Sequence, residues 1–214
     1  MTTPPKKDVI TIALSKGYLL EEAMKLFGQI GLFFDDDLAT SRKLFTHDTT
    51  GRFRILQIRP WDVPVYVEQG AADFGIAGKD VLYERQSKVI QLMDMNYGEC
   101  KLVLAGPKVQ PVSSLKHNLK VATKYPHCTE AYFQKLGLKI NMIKLYGAVE
   151  LAPLTGLSDV ICDLTASGKT LKENHLHIIE TMFESSAYLI ANPVSFKFYS
   201  DEIRDLIDRL KPIL

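Results

Sequence analysis

Short apolar runs of strand length alternate with helix-periodic stretches along most of this chain, and that alternation leaves few folds open. Residues 9–14 form one such run. Leu20, Ala23, Met24, Phe27 and Ile30 then recur at helical spacing across residues 19–30, with Gly31 as a stop. Residues 52–59 are strand-like, Asp62 and Pro64 open a helix ending near Gly70, and residues 74–77 form a strand. Later come strands at 102–105, 119–123, 140–145 and 159–164, a helix over 129–136 stopped by Gly137, and a helical turn at 148–151. Residues 183–191 read as one further strand. Residues 202–210 read as a closing helix with Ile203, Leu206, Ile207 and Leu210 on its apolar face. The alternation implies α/β layers with mostly parallel strands.

Two local echoes point to paired lobes. Ile12-Ala13-Leu14-Ser15-Lys16 is matched by Val121-Ala122-Thr123-Lys124, each a strand ending in a hydroxyl and a lysine. Gly70-Ala71-Ala72-Asp73-Phe74 is matched by Gly156-Leu157-Ser158-Asp159-Val160, each a helix stop leading into a buried strand. The expectation is two similar α/β lobes with a ligand cleft between them, where strand C-termini converge. The first lobe is placed at residues 1–95 plus 184–214 and the second at 96–183.

The bulk numbers exclude several functions. With 214 residues, 46% hydrophobic and a net charge of +1, the chain has no bulk electrostatic case for binding nucleic acid or an anionic membrane. No apolar run approaches a membrane span, and residues 1–7 lack the apolar core of a signal peptide. Cys100, Cys128 and Cys162 are scattered and odd in number, which suits reduced thiols in a cytoplasmic protein. His175 and His177 lack a third ligand at metal spacing and read as surface or loop residues.

The stretch that carries chemistry is Asp163-Leu164-Thr165-Ala166-Ser167-Gly168-Lys169-Thr170. An apolar strand runs into a carboxylate, small and hydroxylated residues follow, and a helix-compatible segment begins. That order gathers amides, hydroxyls and a helix N-terminus around one concavity suited to a phosphate monoester. Asp163 stands where the hydroxyls of an attached sugar would fall. Gly168-Lys169-Thr170 mimics the end of a nucleotide P-loop, but that motif needs glycine at position 163, where this chain has Asp. The plain alternative is an ordinary strand–turn–helix connection.

These segments resemble the ATP phosphoribosyltransferase family, in order and spacing, from Ile10 to about Pro193. The most specific part is Gly147-Ala148-Val149-Glu150-Leu151-Ala152-Pro153, continuing through Gly156-Leu157-Ser158-Asp159 to the Asp163–Thr170 loop. Ala72-Asp73-Phe74-Gly75-Ile76-Ala77-Gly78-Lys79-Asp80-Val81-Leu82, Cys100-Lys101-Leu102 and Ala122-Thr123-Lys124-Tyr125-Pro126 support it. The resemblance implies a two-lobed, periplasmic-binding-protein-like α/β fold and the short form of the family, without a C-terminal histidine-binding domain. It further implies a homodimer for the chain alone and a hetero-octamer with a histidyl-tRNA-synthetase-like regulatory subunit. The implied reaction is attack of N1 of ATP on C1 of phosphoribosyl pyrophosphate, with Mg²⁺, as the first step of histidine biosynthesis.

On that resemblance Thr165, Ala166, Ser167, Gly168, Lys169 and Thr170 receive the 5′-phosphate. Asp163, with Leu164 beside it, and Glu150 receive the ribose hydroxyls. Lys16 and Arg42 stabilise the departing pyrophosphate. One position departs from the family pattern: Lys16-Gly17 is followed by Tyr18, where an arginine is usual. Tyr18 can donate a hydrogen bond but carries no charge at neutral pH, so a larger share falls to Arg42 or Lys16. Two other readings share parts of the pattern. One is a two-lobed small-molecule binding or sensor module, and the other a phosphoribosyltransferase for a different base.

Overall fold

The structure, a computed structural model, describes residues 9–34 and 43–214. In chain order its first elements are β1 (Ile10–Ser15), α1 (Tyr18–Gln29), β2 (Phe45–His47), β3 (Phe53–Ile58), α2 (Val63–Glu68), β4 (Phe74–Gly78), α3 (Lys79–Arg85) and β5 (Ile90–Asp94). Next come β6 (Cys100–Gly106), β7 (Leu119–Thr123), α4 (Pro126–Lys135), β8 (Ile140–Lys144), α5 (Leu151–Leu154), β9 (Val160–Thr165) and α6 (Lys169–Glu173). The chain closes with β10 (His177–Ser185), β11 (Ala187–Ala191), α7 (Pro193–Phe198) and α8 (Ser200–Leu210). It forms two compact units. The first takes the described residues up to Leu82, Gln86–Gly98 and Ser186–Leu214, and the second takes Tyr83–Arg85 and Glu99–Ser185.

Each unit has its own sheet. The first has strand order β2-β3-β1-β4-β11-β5, and the second has β10-β6-β9-β7-β8. The sheets are mixed, not mostly parallel as the alternation suggested. Four named pairings are parallel (β1 with β3 and β4, β7 with β8 and β9) and five are antiparallel. The parallel pairs come from the two strand–helix–strand–helix–strand stretches, which need crossovers. The antiparallel ones come from strands added at the margins.

Those two stretches are built alike. In both, a central strand (β1 or β7) is flanked by the parallel strands that follow it, and the outer flank then meets an antiparallel neighbour (β4 with β11, β9 with β6). The helix after each central strand ends in the same way. Gly31 and Gly137 adopt φ of +77° and +70°, and the following amides, Leu32 and Leu138, return to the carbonyls of Phe27 and Phe133. The two Gly-x-x-Asp echoes also form one device. Asp73 donates its amide to the Thr11 carbonyl at 2.8 Å and accepts the Thr11 amide on its carboxylate at 2.8 Å. Asp159 makes the same reciprocal pair with Lys120, at 2.9 and 2.8 Å.

The shared clasp fixes an equivalence that the echoes alone misplace. Ile12 pairs with Phe74 as Val121 pairs with Val160, so Leu14, Ser15 and Ala77 correspond to Thr123, Lys124 and Asp163. The hydroxyl–lysine ends are therefore offset by one residue. In a strand a one-residue offset reverses the face, so Lys16 is not the counterpart of Lys124.

Packing follows the pattern of apolar positions. In α1, Leu20, Ala23 and Phe27 are buried against Ile10, Ile12 and Leu14 of β1 and against Ile203, Leu206 and Leu210 of α8. In the second unit Phe133 of α4 packs with Val121, Val160 and Cys162, and Leu171 of α6 with Val103, Ala122 and Ile161. Several details differ from expectation, among them the start of α4 at Pro126 and not at 129. The run 183–191 is two strands in two sheets, split at Ser186. The turn expected at 148–151 begins at Leu151, because Ala148 sits at φ +49° and cannot start a helix. Asp62 precedes α2, but its side chain makes no capping bond. No helix among the described residues is long and apolar enough to cross a membrane.

Candidate active site

Three mutually parallel strands, β7, β8 and β9, end at one margin of the second sheet, with Thr123 level with Lys144 and with Cys162. In open α/β sheets this is the margin where ligands bind. The side chains delivered there are Lys124 after β7, Glu150 at the start of α5, and Asp163 within β9. Glu150 is placed by its predecessors. Ala148 takes a left-handed conformation that costs a non-glycine residue about 1 kcal/mol, and Val149 is buried and anchors the turn.

Asp163 is the electrostatic centre of the group. Burial pushes its carboxyl up to about 6, against the Leu164 amide that its Oδ1 accepts at 2.9 Å; the Glu150 charge raises it further and the Lys124 charge opposes. The fold does not demand this carboxylate. At the equivalent strand position the first unit carries Ala77, only 2% exposed. Two carboxylates sharing one strand-end margin with an ammonium make a polar set for neutral hydroxyls, to which ionised carboxylates act as acceptors.

After β9 the chain turns through Gly168 at φ +74°, a left-handed conformation that glycine adopts without the Cβ penalty. Thr165 Oγ1 accepts the Gly168 amide at 2.8 Å, and Ser167 Oγ lies 3.4 Å from the Lys169 amide. Two of the loop's N–H groups are thus held by the loop's own hydroxyls, which fixes its curvature. Ala166, Ser167, Lys169 and Thr170 are exposed, and Lys169 lies 3.9 Å from Glu173 in a loose surface pair. Leu164, half-buried, pairs with Leu102 of β6.

The first unit presents its own strand end. Lys16 is exposed just beyond β1, and Gly17, at φ +92°, starts α1 without any side-chain cap. The Ser15 hydroxyl is buried and has no hydrogen-bond partner among the described residues. Tyr18 is 58% exposed and meets Tyr97 edge-on. Arg42 lies outside the described residues. The sequence reading had not placed Lys124 in the site. A lysine just past an apolar strand was visible, but only the pairing of β7 with β9 sets it beside Asp163.

The remaining titratable candidates are structural. Cys162 is wholly buried and its thiol is pushed up to about 12 by that burial, which removes it as a nucleophile at neutral pH. Asp73 is buried in its clasp and also accepts the Ser195 hydroxyl at 2.7 Å. Among the described residues no group of three or more His, Cys, Asp or Glu side chains is placed to hold a metal ion.

By fold the chain is a two-unit α/β protein of the solute-binding type. The alkanesulfonate-binding protein SsuA from Xanthomonas axonopodis pv. citri, solved bound to MOPS, matches with a TM-score of 0.59 over 96% of this chain and 73% of that one. At 13% identity this likeness concerns the fold alone. The family is narrower: a model for ATP phosphoribosyltransferase, HisG, matches residues 59–212, and the chain belongs to that family. An ATP phosphoribosyltransferase of Caldanaerobacter subterraneus subsp. tengcongensis is 43% identical over 207 residues, covering 97% of this chain and 98% of that protein. The ATP phosphoribosyl transferase (HisG:HisZ) complex from Thermotoga maritima contains a chain 33% identical with a TM-score of 0.83, covering 96% of this chain and 98% of that one.

Proposed function

We propose that this chain is the catalytic subunit of an ATP phosphoribosyltransferase. It transfers the phosphoribosyl group of phosphoribosyl pyrophosphate to N1 of ATP, giving phosphoribosyl-ATP and pyrophosphate, the first step of histidine biosynthesis. Family membership along nearly the whole chain gives the reaction. The observation that carries the site is the convergence of Asp163, Glu150 and Lys124 at a strand margin, with Ala77 at the first unit's position equivalent to Asp163.

Attack at C1 gives the ribose ring oxocarbenium character while negative charge builds on the departing pyrophosphate. Catalysis then consists of alignment and stabilisation of the leaving group, with no nucleophilic side chain. Asp163 and Glu150 hold the ribose hydroxyls and so fix the ring. Thr165, Ser167 and Thr170 hydroxyls, with the loop amides, receive the 5′-phosphate. The Thr165 and Ser167 hydroxyls, while accepting the Gly168 and Lys169 amides, keep their own O–H groups to donate to the phosphate. Lys16, the uncapped start of α1 and Arg42 are assigned to the pyrophosphate. Mg²⁺ is a hard cation that keeps waters and binds through substrate phosphates more often than through protein cages. It is assigned to the substrates' phosphate oxygens, and no protein ligand is named for it.

The 33%-identical chain from the Thermotoga complex supports a HisZ-type regulatory partner for this chain. We assign that partner the histidyl-tRNA-synthetase-like fold, in a hetero-octamer in the cytoplasm. The test is a spectrophotometric assay of the chain with its partner subunit, ATP, phosphoribosyl pyrophosphate and Mg²⁺, with pyrophosphatase to draw the reaction forward. Phosphoribosyl-ATP is the expected product. Its absence with the partner present overturns the reading.

A further inference from the structure

The first unit builds the same strand pair with Leu14, Ser15 and Ala77 where the second has Thr123, Lys124 and Asp163, so the fold alone does not require the polar set. Within that set Thr123 is the most tightly fixed. It is wholly buried; its Oγ1 donates to the Cys162 carbonyl at 2.7 Å, accepts the Tyr125 amide at 2.8 Å, and accepts the Thr129 hydroxyl at 3.2 Å. Those three bonds use the one donor and both acceptor sites of a hydroxyl. Their placement is specific. The carbonyl that Thr123 grips belongs to the residue before Asp163, and the amide it receives belongs to the residue after Lys124.

We propose that Thr123, backed by Thr129, is a positioning residue of the phosphoribosyl site: its hydroxyl ties the turn after β7 to β9 and so holds the Lys124 ammonium toward the Asp163 carboxylate. The inference rests on the function proposed above for that site. Lys124 opposes the burial that favours a neutral Asp163. Freed from its tether, the lysine side chain extends into solvent, and the carboxyl takes up a proton at higher pH. Other charges near Asp163 do not replace it. Glu150 acts in the opposite sense, β6 presents Val103 opposite Asp163, and Lys101 of β6 is paired with Glu184 at 3.0 Å. On α6, Lys169 faces Glu173, and the Cys162 thiol on the same strand stays protonated at neutral pH.

The test titrates the Asp163 carboxyl by ¹³C NMR, its resonance identified by its loss in Asp163→Asn. Lys124→Gln should raise the midpoint. Thr123→Val should raise it by at least about half a pH unit, roughly threefold in the proton equilibrium, while Thr123→Ser keeps the original value. On a Lys124→Gln background Thr123→Val should add nothing, because it acts through the lysine. In turnover assays with the partner subunit, KM for phosphoribosyl pyrophosphate in Thr123→Val should exceed wild type by about twofold near pH 6 and converge with it by pH 8. An unmoved midpoint, an additive double variant, or a Thr123→Ser protein that behaves like Thr123→Val overturns the proposal. If Thr123→Val does not fold, Thr129→Val removes the third bond, together with the Thr129 contact to the Cys162 thiol, and is read by the same midpoint, where no shift is again fatal. The expected midpoints in a wild type that makes no phosphoribosyl-ATP support the positioning role and overturn the assigned reaction.

Discussion

Asp163 carries the sharpest consequences at the level of single residues. Its carboxyl, held near 6, ionises just below neutral pH, and in the ribose role proposed for it the ionised form is the stronger acceptor for two hydroxyls. KM for phosphoribosyl pyrophosphate should therefore fall as pH rises from 5 to 7. The substrate's own phosphate also titrates there, so the informative quantity is the difference from Asp163→Asn. That variant should lose this component and raise KM by roughly tenfold, the cost of a charge-assisted pair of bonds. Equal pH profiles in the two proteins remove Asp163 from the ribose site. The same proton affects folding with a definite sign. A carboxyl raised above its unfolded value keeps a proton that the unfolded chain has already released. Stability contributed by that proton is lost as pH rises from about 4 through 6, and urea midpoints of Asp163→Asn should lack that fall. In the proposed pyrophosphate assignment Tyr18 adds no charge at neutral pH, so the charge requirement falls on Arg42 and Lys16. Turnover of Arg42→Ala should drop on the order of a hundredfold, about 3 kcal/mol of transition-state stabilisation. An unchanged rate takes Arg42 out of the site.

Among the elements, the repeated aspartate clasp shows how burial sets the worth of one bond pattern. Asp73 and Asp159 make the same reciprocal pair, but Asp73 is 1% exposed and Asp159 faces solvent. Asp73→Ala strands the Thr11 amide and the Ser195 hydroxyl in a dry interior and should cost about 3 kcal/mol in urea unfolding. Asp159→Ala lets water replace the carboxylate and should cost about 1 kcal/mol. Equal losses would mean that the clasp, not its burial, sets the energy. The Gly-x-x-Asp signature of this device was legible in the sequence, as were α1, α4, α8 and the central strands, because each buries a periodic apolar face. Other elements left no such trace. Residues 183–191 carry no glycine or proline to mark a break, and their division at Ser186 follows from strand pairing, β10 lying beside β6 and β11 between β4 and β5. In the turn before α5 the left-handed residue is Ala148 and not the adjacent Gly147, so the glycine marks the turn without marking its left-handed position. In α3, Asp80, Val81 and Leu82 are buried in a single stretch that shows no helical period. Within the candidate site, residue order names the loop and Asp163 and the family resemblance names Glu150, whereas Lys124 and the Thr123 tether depend on strand pairing that no local pattern encodes.

For the molecule as a whole, the two units fold around separate interiors. The second unit's clusters, from Val103 to Leu176 and from Leu104 to Met182, draw only on residues between Glu99 and Ser185. The first unit's clusters draw none from that span. A continuous segment with its own sheet, helices and core meets the physical requirement for autonomous folding, although at this size its margin is small. Supports from outside the segment come from α3: Glu84 accepts the amides of His127 and Cys128 at 3.0 and 2.9 Å and so caps α4, and the Tyr83 ring meets that of Phe183 at 5.6 Å. Residues 99–185 expressed alone should therefore show dispersed amide resonances and a cooperative thermal transition. Glu84→Ala in the full chain should weaken the second unit by about 1 kcal/mol, the usual worth of a helix cap. The fragment, lacking Glu84, should be weaker by at least that amount. Its Asp163 should still titrate near 6, since Lys124, Glu150 and the burying strands all travel with it. A fragment that stays unfolded at low temperature would show that residues 99–185 depend on elements outside the segment, Tyr83 and Glu84 of α3 among them, and that a separate core is not enough for independent folding.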